Sequence, residues 1–135
     1  MASVFVVKAK IKNPMEWYSK KMKCDSDWEF DEQLKSYHLG PVYMKQHDDT
    51  TSFEDLSESE FFGWETSAWI ELADSKELIY GSYDEIGNAE FIHIKNDVCV
   101  REYRMYDFEL DTDEGDTPEF DGWADVWEFI DDNLL

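Results

Sequence analysis

The chain has 135 residues and a formal net charge of −21, from 33 Asp and Glu against 12 Lys and Arg. A hydrophobic share of 42% and an aromatic share of 16% exclude a disordered polyelectrolyte, and the length suits one domain, residues 1–135, with a real core. The acid excess works against direct binding to nucleic acid or anionic lipid, and no stretch reaches the roughly 18 apolar residues of a membrane span.

Residues 3–11 alternate as a strand, with Phe5, Val7, Ala9 and Ile11 on one face. Asn13-Pro14 then opens a helix, with Asn as cap, Pro in the first turn and Glu16 three residues after the cap. Ser26-Asp27-Trp28-Glu29 repeats that pattern. It predicts a second helix carrying Phe30, Leu34 and Tyr37 on one stripe and ending at Gly40-Pro41. Residues 42–44 suit a short strand, and the polar run 46–60 a surface loop or a frayed short helix.

Residues 67–106 read as an antiparallel meander. Its first pair, residues 68–72 and 78–83, flanks the turn Ala73-Asp74-Ser75-Lys76. Its second, residues 89–95 and 98–106, flanks Asn96-Asp97, a two-residue connection suited to a type I′ hairpin. That turn sets Lys95 opposite Val98, His93 opposite Val100 and Phe91 opposite Glu102. Both faces are partly apolar, so helices should cover at least one of them. Residues 107–121 form an acidic connection. Trp123, Val126, Trp127 and Ile130 then fall at i, i+3, i+4 and i+7, the stripe of an amphipathic helix that puts both tryptophans in the core. The expected fold is α+β: an antiparallel meander with two N-terminal helices and one C-terminal amphipathic helix packed on it.

The charge is unevenly placed. Residues 1–47 hold eight Lys and Arg against six Asp and Glu, whereas residues 48–135 hold four against twenty-seven. After Arg104 twelve carboxylates follow with no Lys, Arg or His. Like charge on this scale weakens a compact chain unless solvent or a cationic partner answers it. An extended segment from 107 would set carboxylates on one side and Phe108 and Leu110 on the other, an anionic ridge with apolar anchors. The candidate partner-binding residues are therefore Asp107, Glu109, Asp111, Asp113, Glu114, Asp116, Glu119 and Asp121. The first acidic stretch adds Asp48, Asp49, Glu54 and Asp55, with Trp64 beside it as an aromatic contact. The blander reading is a solvated acidic loop that keeps the chain soluble. Arg101 and Arg104, the last cations, are expected to serve as internal counter-charges for Glu102 and the acid that follows.

Catalytic signatures are lacking. Residues 111–116 begin like a calcium-binding EF-hand loop but carry Gly115 at the fifth position, Asp116 at the sixth and Gly122 at the twelfth. His38, His47 and His93 are too scattered for a metal site, and neither a Gly-rich phosphate loop nor an activated nucleophile stands out. His93 reads as structural and Cys99 as a small buried residue. No metal or other cofactor is expected, and an enzyme is the minority reading. Cys24 and Cys99 suit two reduced thiols in a cytoplasmic protein, although sequence alone leaves a bond between them open.

Residues 87–95 (GNAEFIHIK), 99–103 (CVREY), 111–115 (DTDEG) and 123–131 (WADVWEFID) resemble the small acidic immunity proteins encoded beside bacterial polymorphic toxins. The resemblance covers about the C-terminal half and is one of general pattern, so it assigns no site residue. It implies a cytoplasmic protein that binds a cognate toxin domain and blocks its active site or substrate path. The alternative is a DNA mimic, phage-encoded or otherwise, whose carboxylates imitate phosphates to inhibit a DNA-binding or defence protein.

Overall fold

Strand β1 (Ala2–Val7) is buried along its whole length, with Phe5 and Val7 on one face and Val4 and Val6 on the other. A strand apolar on both sides belongs inside a sheet that is covered on both sides. In the computed structural model, which describes residues 1–135, β1 is the middle strand of nine in an antiparallel sheet of order β2-β3-β4-β5-β1-β6-β7-β8-β9. One four-stranded meander lies to each side of it. The first comprises β2 (Glu29–Asp31), β3 (Ser36–Leu39), β4 (Val42–Gln46) and β5 (Thr51–Asp55); the second comprises β6 (Leu78–Tyr83), β7 (Ala89–Lys95), β8 (Val98–Tyr106) and β9 (Glu109–Glu114). Helices α1 (Pro14–Met22) and α2 (Thr66–Ala73) cover one face, and α3 (Trp123–Asn133) covers β6 and β7 on the other. The α+β class and the antiparallel sheet are as expected.

The two N-terminal helices are not. Only α1 forms, with Pro14 in its first turn, and Asn13 makes no side-chain cap. The expected second helix is the β2–β3 hairpin. Asp31 Oδ1 accepts the backbone N–H groups of Gln33 and Leu34, at 2.9 Å each, and Lys35 takes a left-handed φ of 52°. That side-chain capture turns the chain back before a helical turn can form. Phe30 and Tyr37, seven apart in sequence, become a cross-strand pair with ring centroids 5.1 Å apart.

Three further segments differ from expectation. Residues 51–55 form β5 instead of a loop, because Thr51, Phe53 and Asp55 alternate into buried positions. Residues 68–72 belong to α2 instead of a strand: Trp69, Leu72 and Ala73, at i, i+3 and i+4, face the core. The acidic connection after residue 107 contains β9, paired along β8.

The β7–β8 hairpin has the expected ends. Asn96 and Asp97 hold φ 54° and 62°, the left-handed pair that type I′ requires, and Lys95 faces Val98. The register then shifts: Ile94 faces Cys99 but His93 faces Arg101, so Val100 is the extra residue of a β-bulge. Phe91 consequently faces Tyr103 instead of Glu102, and the bulge turns Arg101 and Tyr103 toward the α3 face.

Candidate protein-binding surface on the acidic flank

Arginines 101 and 104 decide the electrostatics of the second meander, and both are turned inward. Arg101, 2% exposed, donates from Nη1 to Asp113 Oδ1 at 2.6 Å and to the Glu114 carbonyl at 2.7 Å, and from Nε to the Pro118 carbonyl at 2.8 Å. Its guanidinium lies over the Tyr103 and Phe120 rings, 5.5 and 5.4 Å from their centroids. One cation thus gathers the acidic loop that follows β9. Gly115 completes the loop at φ 89°, where a Cβ would lie 2.3 Å from the Val100 carbonyl oxygen.

Arg104, 7% exposed, sits on the opposite face of the sheet in a closed network. It donates from Nη1 to Glu90 Oε2 at 2.7 Å, from Nε to Glu102 Oε2 at 2.9 Å and from Nη2 to the Trp64 carbonyl at 2.8 Å. Glu90 is fully buried and also accepts Tyr80 OH, Tyr106 OH and the Gly63 N–H. Burial first, and then the bond to Glu90, push the Tyr106 hydroxyl up to about 12. Both arginines are the internal counter-charges that the sequence suggested. As a result Lys95 is the sole exposed Lys or Arg between residue 78 and the last residue.

The candidate acidic residues do not form one patch. Asp48 and Asp49 occupy the β4–β5 turn at the Val7 end of the sheet, whereas Asp107 lies in the β8–β9 turn at the Ala2 end. Five strand steps separate β5 from β9, about 24 Å at the usual spacing of about 4.8 Å. Glu54 faces Tyr43 on the first meander. Asp55 is buried, and its carboxylate is taken up by the Ser57 hydroxyl and the N–H groups of Ser57 and Glu60. Trp64 is half-buried, stacked on Trp69 at 4.5 Å with its Nε1–H donated to the Glu60 carbonyl.

The second group holds together. Asp107, Glu109, Asp111, Glu114, Asp116, Glu119 and Asp121 are exposed along edge strand β9 and the loop after it, and Asp113, also exposed, is the one bound to Arg101. A bulge at Asp111 sets Leu110 opposite Met105 and Thr112 opposite Arg104, so carboxylates fall on both sides of the strand instead of forming one ridge. At the Ala2 end Glu58 lies near Asp84 and Glu85 of the β6–β7 turn. Burial, opposed by the Met1 amine and reinforced by Asp84, Asp55 and Glu85, pushes its carboxyl up.

Apolar groups accompany this acid. Ile86, Phe108, Leu110 and Trp127 expose between 42% and 69% of their surface around the same end of the second meander. Phe108 and Leu110 are therefore not buried anchors, and Trp127 is not core. Four rings stand in a row. Phe108 meets Trp123 edge-on at 5.6 Å, Trp123 lies 5.3 Å from Trp127, and Trp127 stacks on Tyr83 at 5.6 Å. Gly87 makes room for the first, because a Cβ there would lie 2.5 Å from the Phe108 ring.

The chain matches no family model, no curated protein and no solved structure. The surface must therefore be read from its own chemistry. No group of three or more His, Cys, Asp or Glu side chains is arranged to hold a metal ion. No helix is long and apolar enough to cross a membrane. His93 bonds Glu77 at 2.7 Å, and Cys24 and Cys99 are free. An open groove of about 830 Å³ is lined by Lys12, Pro14, Lys20, Cys24 and Trp28 on the α1 side. Lys12 and Lys20 line that groove, Lys20 paired with Glu16, while Lys21 of the same helix is paired with Asp74. Base is thus mixed with acid around α1, whereas β9 and α3 carry exposed carboxylates and no Lys or Arg of their own.

Proposed function

We propose that this protein is a stoichiometric inhibitor of the immunity kind, one that covers the basic face of a toxin domain with its β9–α3 flank. The observation that supports this reading is the inward turn of Arg101 and Arg104, which leaves the flank without an exposed Lys or Arg from residue 96 onward. A surface of one sign accelerates encounter with a partner of the other sign. Occlusion needs only a stable complex, and the acidic flank would occupy the groove through which a substrate reaches the toxin.

The test is capture at low salt with two baits, the natural chain and a variant carrying Glu109→Lys, Asp111→Lys, Asp116→Lys and Glu119→Lys. Asp113 is left alone because it holds Arg101. The expected result is one basic protein retained by the first bait and lost from the second, with a one-to-one association rate that falls steeply as salt rises. Equal retention by both baits, or a rate flat with salt, refutes the proposal. Competition with DNA for several unrelated DNA-binding proteins would replace it with the DNA-mimic reading.

A further inference from the structure

We infer that the row Phe108–Trp123–Trp127 is the apolar centre of the acidic surface, and that its occupant is a basic polypeptide segment carrying an aliphatic or aromatic side chain among its Lys and Arg residues. This rests on the acidic-flank reading and adds what that reading does not specify, the source of residence time.

Phe108 and Trp127 are exposed, Trp123 between them is half-buried, and the row is held in place. Asp131 accepts the Trp127 Nε1–H on Oδ2 at 2.7 Å and the Tyr83 hydroxyl on Oδ1 at 2.8 Å, so one carboxylate clamps both stacked rings. Trp123 donates Nε1–H to the Asp84 carbonyl at 2.8 Å. The Phe108 N–H is bound to the Gly87 carbonyl at 2.9 Å, which ties the β8–β9 turn to the β6–β7 turn. Aromatic side chains held in place before binding lose little freedom on contact, which is why such residues dominate hot spots. A scattered exposed apolar residue needs no explanation, but a contiguous fixed cluster rimmed by charge marks an interaction site.

The rim selects the occupant. Asp84, Glu85, Asp107, Glu109, Asp121 and Glu128 flank the row in sequence and in the turns that carry it. A second copy would bring another −21 to the contact, and anionic lipid would be repelled in the same way. A cationic segment with an apolar residue satisfies both parts: its charges meet the rim, and its apolar side chain covers the indoles.

Two synthetic twelve-residue peptides test this, both with six Lys and Arg, one with three Leu and the other with three Ser in their place. Binding is read from indole fluorescence and from the indole N–H resonances, at low and high salt. The leucine peptide should bind at least tenfold more tightly, since burying a single Leu is worth more than that factor. Phe108→Ser and, separately, Trp127→Ser should each cut that advantage to threefold or less while leaving the serine peptide unchanged. Phe108→Ser alters an exposed turn residue and serves as the reading if Trp127→Ser fails to fold. Equal affinity of the natural chain for both peptides overturns the inference while the acidic-flank reading survives. Binding of neither peptide at low salt overturns both. A doubled mass in sedimentation equilibrium that Phe108→Ser abolishes makes a second copy the occupant and also overturns it.

Discussion

Replacing Glu90 by Leu should come close to unfolding the protein. Glu90 is fully buried and accepts four donors: Gly63 N–H, Tyr80 OH, Tyr106 OH and Arg104 Nη1. Losing one member of a buried ion pair costs about 3–5 kcal/mol, because the other charge remains out of water. Arg104 keeps Glu102 at 2.9 Å, which places its share at the lower end of that range. The Gly63 N–H and the Tyr80 hydroxyl then lack partners, at about 1–3 kcal/mol each. These contributions overlap, and a total of about 5 kcal/mol is expected against a typical stability of about 5–15 kcal/mol. The assay is urea unfolding followed by tryptophan fluorescence, with the transition slope checked for constancy. The double variant Glu90→Leu with Arg104→Leu should be less destabilised than the sum of the two singles by about 2 kcal/mol, since it removes both charges at once. A loss below about 1 kcal/mol for Glu90→Leu, or strict additivity in the cycle, would show that the network is not closed and would refute the reasoning.

Gly115→Ala should lower stability by more than about 2 kcal/mol, from its left-handed backbone and the contact with the Val100 carbonyl. A urea midpoint unchanged from the natural chain would show that the loop gathered by Arg101 relaxes freely. Alkali should unfold the chain over a defined interval. Burial raises Tyr18, Tyr80, Tyr83, Tyr103 and Tyr106 above the ordinary value near 10, Tyr106 to about 12. The unfolded state thus loses these protons first. Their stabilising effect is whole below about pH 10 and is lost progressively above it, for Tyr106 as pH rises through about 12. Tyrosinate absorbance should rise together with the loss of circular dichroism, and ionisation of all seven tyrosines near pH 10 with the fold intact would contradict it.

Long regular patterns were legible in the sequence, and short ones were not. The β7–β8 hairpin, α1 and the stripe of α3 follow from periodicity and turn chemistry that tertiary contacts only reinforce. The β2–β3 hairpin was hidden because Phe30, Leu34 and Tyr37 keep helical spacing, and nothing local ranks the Asp31 turn above the Ser26 cap. Strand β5 has one large apolar side chain, Phe53, among polar neighbours, so its burial appears only once β1 and β4 flank it. At the surface, the acid was plain from composition. The exposure of Trp127 was not: its place on the α3 stripe reads as core, yet the sheet beneath α3 ends at Tyr83, and the indole stacks at that margin. Asp107-Phe108 carries no Asn or Gly to announce a type I′ turn, although both residues adopt it at φ 52° and 62°.

The central position of β1 has a consequence for synthesis. Phe5 has Phe53 beside it on one strand and Tyr80 on the other, so β1 is completed only after Tyr83 has emerged from the ribosome. At about 5–20 residues per second, that leaves the segment Val4–Val7 waiting for several seconds. VFVV is uncharged and strongly β-forming, the kind of segment through which nascent chains associate with one another. Lys8, Lys10 and Lys12 follow it directly and supply the repulsion that keeps such a segment apart from its copies until the second meander arrives.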